Sequence, residues 1–167
     1  MREILGPEEA LRWRREAWEK GAEARKARRE AQETARNKPK TPLRMSAERH
    51  YITKVRANSI VKKINSVVEP WVDVKADVEA INVGKARRDG EFYHINGRIY
   101  TVHNGRAVPV SGDGVHQLDR GAYKALMIYN SMGLTPEAEA RLDAEKIRPD
   151  QRAAAKEAHL AGKKSND

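Results

Sequence analysis

Three side chains with acid–base or phosphate-binding chemistry lie close together in the sequence: His103, Arg106 and His116. Imidazoles titrate near neutral pH, so two of them can act as general base and general acid while a guanidinium binds a phosphate. Arg98, a few residues earlier, is a second candidate for the phosphate clamp. The set predicts metal-independent, ribonuclease-type phosphodiester cleavage by His/Arg acid–base chemistry, with no cofactor.

Two other interpretations of these residues remain open. Histidines and arginines on a half-exposed strand often interact only with solvent, and they would then form a polar sheet face. Alternatively, the histidines could bind a metal ion together with Asp113, although the segment has no recognised spacing of metal ligands. The chain contains no cysteine, which excludes thiolate ligands and disulfides. We therefore expect no metal site.

Two Asn-Gly pairs indicate how these side chains are positioned. Asn96-Gly97 and Asn104-Gly105 each separate short apolar-rich runs, as in two-residue type I′ hairpins. Their spacing predicts strands over residues 92–95, 98–103 and 106–110, which would form a three-stranded antiparallel meander. Pro109 cannot donate to a sheet ladder, so the third strand should be an edge.

The register of such a meander decides which side chains share a face. His103 is expected directly opposite Arg106, at roughly 5 Å between Cβ atoms. Their face should also hold Phe92, His94, Ile99, Thr101 and Val108, and the opposite face Tyr93, Ile95, Arg98, Tyr100, Val102 and Ala107. His116 follows in a glycine-containing loop over residues 111–117, which can fold back toward the pair. Gly112 and Gly114 in this loop would let backbone amides approach a phosphate.

Helices are predicted before the meander. Pro7 followed by two glutamates indicates a first helix that ends near residue 36. Ser46 is a good N-cap for a second helix over residues 47–67, whose apolar residues recur near the helical period. Asp73 is expected to cap a third helix, and Gly90 to terminate it in a left-handed conformation.

Helices are also predicted after the meander. Asp119 and Gly133 bound one of them, and Pro136 and Pro149 open two more. The predicted fold class is α+β, with helices flanking a three-stranded antiparallel meander and an exposed basic N-terminal helix. We expect a basic helical arm over residues 1–37, a linker over 38–45, an α+β domain over 46–162 and a disordered tail over 163–167.

The positive charge is concentrated in the first half of the chain. The net charge is +9, and residues 1–90 hold 22 of the 33 Lys and Arg against 14 of the 24 Asp and Glu. Such an excess attracts a polyanion, so RNA or DNA is the expected partner. The candidate contacts are Arg25, Lys26, Arg28 and Arg29 on the arm and Lys62 and Lys63 on the second helix.

The N-terminal arm also has a second interpretation. Its apolar stripe is thin, so it is either a solvated basic helix or a helix that docks through Trp13 and Trp18 onto a protein partner. No apolar run approaches the length of a membrane span, and the N-terminus lacks a signal core. We therefore expect no membrane association and a cytoplasmic location.

Three stretches from residue 77 onward have a recognisable pattern: DVEAINVGKARRDG from residue 77, INGRIYTVHNG from residue 95 and PVSGDGVHQLDRGAYKALMIYN from residue 109. They resemble a module near the C-termini of bacterial polymorphic toxins and RHS-type secreted proteins. The resemblance covers about residues 70–160 and implies a bacterial effector or mobile-element protein, delivered into a target cell's cytoplasm if it is an effector. It draws attention to Asn96, Gly97, Arg98, Tyr100, His103, Gly112, Gly114, His116 and Arg120.

Together these patterns predict a nucleic-acid-binding bacterial effector or mobile-element protein, whose enzymatic form would be a small toxin-like nuclease. The alternative is a non-enzymatic structural or interaction protein whose N-terminal helix docks on a protein partner.

Overall fold

The computed structural model describes residue 4 and residues 6–164, and the fold is α+β. Over these residues the elements are α1 (Pro7–Asn37), β1 (Ile64–Val68), α2 (Val74–Asn82), β2 (Arg87–Asp89), β3 (Phe92–Ile95), β4 (Arg98–His103), β5 (Arg106–Gly112), β6 (Val115–Asp119), α3 (Arg120–Met132), α4 (Pro136–Ala144) and α5 (Pro149–Lys163). Two 3-10 turns, Glu48–His50 and Ile52–Lys54, precede β1. No helix in this part of the chain is long and apolar enough to cross a membrane.

The central sheet has one strand more than predicted. Four antiparallel strands follow in the order β2-β3-β4-β5, and β2 joins β3 through a turn at Gly90, which has a φ of 61°. The predicted registers are confirmed: Ile95 pairs with Arg98, and His103 pairs with Arg106. Both turn asparagines have a φ of 51°, as type I′ turns require. The strand with Pro109 lies at the end of this order, as predicted.

The predicted second helix, residues 47–67, is wrong. Only the two 3-10 turns are helical there, and residues 64–68 form β1, which pairs antiparallel with β6 as a second sheet. Three of its five residues are β-branched, and Asn65 turns its side chain back onto the backbone of Lys62, so the local sequence favours an extended chain. Ser46 is not an N-cap; its buried hydroxyl donates to the carbonyl of Ala107 at 2.6 Å.

The predicted glycine loop, residues 111–117, is mostly strand. β5 continues to Gly112, a turn at Asp113-Gly114 follows, and β6 begins at Val115. Gly112 has a φ of 112° and lies against the backbone of Gly97 and Arg98, so a side chain there would collide with the neighbouring hairpin. This close approach directs the chain from the four-stranded sheet into the two-stranded one.

The helices form the remaining walls of two cores. Asp73, Asp119 and Thr135 cap α2, α3 and α4 with side-chain hydrogen bonds, as their positions in the sequence predict. The first core packs α3, α4 and α5 against β1 and β6, and the second packs α2 against the inner face of the four-stranded sheet. Gly84, rather than the predicted Gly90, follows α2 with a positive φ.

The arm α1 is exposed along its length, as predicted, because none of its residues is buried. It meets the rest of the chain at its last turns, where Thr34 lies against Gly84. The linker after it is less independent than predicted: Leu43 is buried, and its backbone exchanges two hydrogen bonds with the amide of Asn82. Of the predicted tail, Lys163 belongs to α5, and residues 165–167 lie outside the described part of the chain.

Candidate nucleic-acid interface

A cleft of about 690 Å³ lies over the outer face of β4 and β5, between these strands, β1 and the first 3-10 turn. We call it the basic cleft. Its lining includes five side chains that the outer face of the meander was predicted to carry, Phe92, Thr101, His103, Arg106 and Val108. Seven further lining residues lie between Ala47 and Ser66, in the segment that was expected to be a helix, and of these only Lys62 was a predicted contact.

The charged residues of the basic cleft are all cationic. Arg49, Lys62 and Arg106 line it, and the described residues contribute no aspartate or glutamate to its lining. Within residues 6–164, the ion pairs engage other cations and leave these three without a carboxylate partner. The Arg106 guanidinium is held in place by the carbonyl of Met45 at 3.0 Å. The cleft therefore has a positive charge that nothing in it neutralises.

His103 and Arg106 form a directly opposed cross-strand pair at the end of the β4–β5 hairpin. His103 is exposed, and Arg106 is half-buried. The next segment of chain adds a further cation beside them, since Arg44 forms a short parallel bridge with Arg106 and donates to the carbonyl of Asn104 at 2.6 Å. This pair is the part of the predicted catalytic set that the fold brings together.

His50 is the second imidazole of the basic cleft, and no local sequence pattern indicates its position. It is buried, with Nδ1 placed 2.8 Å from the carbonyl of Ser66, so Nδ1 carries the hydrogen and Nε2 is the acceptor. The guanidinium of Arg49 donates to Nε2 at 3.2 Å. The pKa of His50 is lowered to about 4, chiefly by burial and also by the charges of Arg49, Lys62 and His103, while the hydrogen bond to Ser66 acts in the opposite direction. His50 is therefore neutral at pH 7, with both nitrogens engaged.

His116 lies in a different cleft from His103. It is on β6, paired with Val67 of β1, and its Nε2 is 3.5 Å from a carboxylate oxygen of Glu69. This second cleft is formed with the C-terminal part of α5. Because β6 is a strand and not a loop that folds back, the predicted grouping of His103 with His116 is not formed.

Arg98 is buried and faces away from the basic cleft. Its guanidinium donates to both carboxylate oxygens of Asp77, at 2.7 and 3.0 Å, and lies 5.7 Å from the ring of Trp71. Asn96 donates to the same carboxylate at 2.8 Å, and so does the Tyr100 hydroxyl. Burial alone would raise the pKa of Asp77, but these hydrogen bonds outweigh it and hold the pKa below its usual value. The predicted phosphate clamp at Arg98 is thus replaced by an internal ion pair.

The residues predicted to contact nucleic acid fall into two groups. Four of them, Arg25, Lys26, Arg28 and Arg29, are exposed on α1, and the Arg25 guanidinium lies 5.2 Å from the ring of Trp18. Lys62 lines the basic cleft, but it lies in the loop before β1 and not on a helix. Lys63 is exposed and is not among the residues that line the cleft.

Comparison with protein-family models, curated proteins and solved structures gives no match for this chain. The resemblance to the polymorphic-toxin module therefore stays a prediction from the residues. Within residues 6–164, no group of three or more His, Asp or Glu side chains is placed to hold one metal ion.

Proposed function

We propose that this protein binds single-stranded nucleic acid in the basic cleft. The observation that carries the proposal is the charge of the lining, which contains Arg49, Lys62 and Arg106 and, among the described residues, no carboxylate. Phosphate oxygens are the natural partners of such a set, because guanidinium groups bind phosphate with charge-assisted hydrogen bonds. An array of cations along a groove tracks a phosphodiester backbone better than it binds one isolated phosphate.

Exposed apolar side chains at the cleft favour a single strand over a duplex. Phe92 is 43% exposed and lies on the same face as His103, and Ile60 and Ile64 line the opposite side with most of their surface in solvent. An accessible aromatic ring next to cations is the usual platform for an unpaired base. Bases in a duplex are already stacked and would leave this apolar surface uncovered.

The arm α1 carries further cations outside the cleft. Its Arg and Lys side chains are exposed, and the linker that follows it runs past the end of the β4–β5 hairpin at Arg44. Contacts of this kind are made to phosphates and carry no sequence information. We infer that α1 adds affinity that depends on salt, while the basic cleft supplies the contacts to bases.

Binding is better supported than cleavage by the arrangement of the histidines. General acid–base cleavage needs two proton-transfer groups within reach of one phosphate. In the basic cleft His103 is accessible, but His50 is neutral with both nitrogens occupied, and His116 lies in another cleft. Nuclease activity of the chain, with His103 and Arg106 as its residues, is therefore the second form of the proposal.

A binding titration with matched charge variants tests the proposal. We expect the double substitution Lys62→Gln and Arg106→Gln to weaken binding of labelled single-stranded RNA or DNA and to reduce the slope of log K against log salt by about 1.4, since each phosphate contact contributes about 0.7. The control is Lys75→Gln with Lys85→Gln, which removes the same charge from exposed positions outside the cleft. If both double variants bind alike, the basic cleft is not the binding site.

Incubation of the purified protein with labelled RNA and DNA, with and without chelator, tests the nuclease form. If the chain cleaves either, His103→Ala should lower the rate by about 10² to 10⁴-fold while binding persists. His116→Ala should leave the rate unchanged, because its side chain lies in the other cleft. Loss of cleavage in His116→Ala, or its survival in His103→Ala, would contradict this assignment.

A second candidate function rests on the exposed tryptophans of the arm. Trp13 and Trp18 are 64% and 70% exposed on a helix that buries none of its residues. A protein partner on this helix would be retained after nuclease treatment and lost from the double variant Trp13→Ala, Trp18→Ala. If the protein instead binds nucleic acid in the basic cleft, the material that co-purifies with it should be lost on nuclease treatment.

A further inference from the structure

A third cleft, of about 570 Å³, contains an imidazole that the proposed function does not use. It lies between the second 3-10 turn with its following loop and the C-terminal parts of α3 and α5. His159 of α5 lines it and is only 5% exposed. We call it the His159 cleft; it shares no lining residue with the basic cleft among the described residues.

The hydrogen bonds around Asn130 fix which nitrogen of His159 carries the hydrogen. The Asn130 amide nitrogen donates to the carbonyls of Ile52 and Val55, at 2.8 and 3.0 Å. Its amide oxygen must then face His159, whose Nδ1 lies 2.7 Å away. Because an amide oxygen only accepts, Nδ1 is the protonated nitrogen, and Nε2 carries a lone pair. The same arrangement holds the ring in one orientation.

Nε2 of His159 is buried, and no donor from the described residues reaches it. A buried acceptor without a donor is unfavourable, so such groups in folded proteins generally serve a purpose other than packing. A backbone-anchored asparagine that fixes an imidazole is also the arrangement by which proteins prepare a histidine to accept a proton or a hydrogen bond. The structure thus offers one oriented acceptor that lies beneath the surface of a cleft lined by its own ring.

The other lining groups determine what kind of molecule the cleft would bind at this acceptor. Arg56 and Lys163 are the charged residues of the lining, and Thr53, Asn58 and Ser131 are neutral and polar. His159 is the one histidine, and the described lining includes no carboxylate, so the set does not fit a metal ion. Two cations beside a lone-pair acceptor suit an anion that also carries a hydrogen-bond donor.

We propose that the His159 cleft binds a small phosphorylated polyol, with its phosphate at Arg56 and Lys163, and that side chains of the lining move aside on binding so that one hydroxyl donates to Nε2 of His159. Lys163 is one helical turn after His159 on α5, so the cation and the acceptor lie on the same face of the helix. The proposal is independent of nucleic-acid binding in the basic cleft, and either can fail without the other.

Calorimetric titration of the full chain with ribose 5-phosphate tests this proposal, with ribose and inorganic phosphate as separate arms. We expect ribose 5-phosphate to bind at least tenfold more tightly than either fragment, because only it engages both the cations and Nε2. The substitution His159→Asn can retain a hydrogen bond to Asn130 while it removes Nε2, and it should weaken binding about tenfold or more. Arg56→Gln, at an exposed position, should do the same without affecting the fold.

A measurement on the unmodified protein covers the case in which His159→Asn fails to fold. The ¹⁵N resonance of Nε2 in His159 should move on addition of ribose 5-phosphate and stay unchanged on addition of inorganic phosphate alone. The control variant is Arg141→Gln, also exposed but outside this lining, which should bind as the parent chain does. Equal binding of phosphate and ribose 5-phosphate, an unmoved Nε2 resonance, or no binding at millimolar probe would overturn the proposal.

Discussion

The guanidinium of Arg98 donates to both carboxylate oxygens of Asp77, at 2.7 and 3.0 Å, inside the core between α2 and the four-stranded sheet. The two side chains are 6% and 1% exposed. With Tyr100 and Asn96 as further donors, Asp77 accepts four hydrogen bonds from β4 and the turn that precedes it. The pair ties α2 to the β3–β4 hairpin and fixes the face that this hairpin turns toward the basic cleft.

Removal of one partner from this pair should be strongly destabilising. Arg98→Met leaves the Asp77 carboxylate buried without its counter-charge, and we expect a loss of about 3–5 kcal/mol in the free energy of unfolding. Arg141→Met is the matched control, because Arg141 is 63% exposed and its pair with Glu145 contributes about 0–1 kcal/mol at most. Urea unfolding compares the two. Equal effects in both variants would mean that the buried pair contributes no more than the surface pair.

Acid should destabilise the protein in a window set by His50. Burial lowers the pKa of His50 to about 4, so between pH 6.5 and 4 the unfolded chain binds a proton that the folded chain does not. Stability contributed by the neutral ring is present above the unfolded pKa and falls as the pH drops through this window, by up to about 3 kcal/mol. His50→Asn keeps a donor toward Ser66 without titrating. The stability of this variant should decline less over the same pH range. If its stability depends on pH as steeply as that of the parent chain, His50 is not the group responsible.

Phe92 should matter for binding and not for folding. Its ring is accessible at the basic cleft, so Phe92→Ala should weaken binding of single-stranded RNA or DNA by about 1–3 kcal/mol. Duplexes of the same sequence should lose little affinity. Val102→Ala is the control, since Val102 is also an exposed apolar residue of the sheet but lies outside the cleft lining. Fluorescence anisotropy measures both, and equal losses for single strands and duplexes would argue against a stacked base.

Substitution by alanine should change stability in opposite directions at two glycines. Gly112 has a φ of 112° and lies against backbone atoms of Gly97 and Arg98, so Gly112→Ala should cost at least about 1–3 kcal/mol. Gly21 lies inside α1, where only the flexible end of Arg25 approaches a new Cβ. Gly21→Ala should therefore stabilise the helix by about 0.5–1 kcal/mol, visible as increased helical circular dichroism on heating. A destabilised arm in Gly21→Ala would show that this position makes a contact on its open face.

The position of Leu43 predicts where the chain can be shortened. A chain of residues 38–167 keeps Leu43 in its core and should have nearly the melting temperature of the whole chain, because α1 buries none of its own residues. A chain of residues 46–167 loses Leu43 and the pairing of Arg44 with Arg106, and it should lose about 2–5 kcal/mol. Thermal unfolding distinguishes them. Equal stability of the two shortened chains would show that the linker does not contribute to the core.

The hairpins could be predicted from the sequence because their signals are local. Asn96-Gly97 and Asn104-Gly105 determine both turn type and register, and so the opposition of His103 and Arg106 follows from the sequence alone. The error over residues 47–67 has a different origin. Apolar residues there recur at helical spacing, but β1 forms only because β6, about fifty residues later, offers a partner strand.

One half of the buried ion pair has a local signal in the sequence. Asp77 falls on the same helical stripe as Val74, Val78 and Ile81, which are all buried. A carboxylate at such a position requires a buried cation, but local patterns do not identify which arginine supplies it. The position of His50 could not be predicted for a related reason, since its place in the basic cleft depends on a tertiary contact with Ser66 of β1.

The distribution of aromatic residues determines what fluorescence, absorbance and circular dichroism each report about this protein. Trp13, Trp18 and Trp71 are all exposed, whereas Tyr100, Tyr123 and Tyr129 are fully buried. Indole emission will therefore be solvent-shifted already in the native state and will change little when the cores disassemble. Tyrosine absorbance or near-ultraviolet dichroism will follow global unfolding instead. Trp71 belongs to the folded body, so in a Trp71→Phe variant quenching of the two remaining indoles, both on α1, would report engagement of the arm.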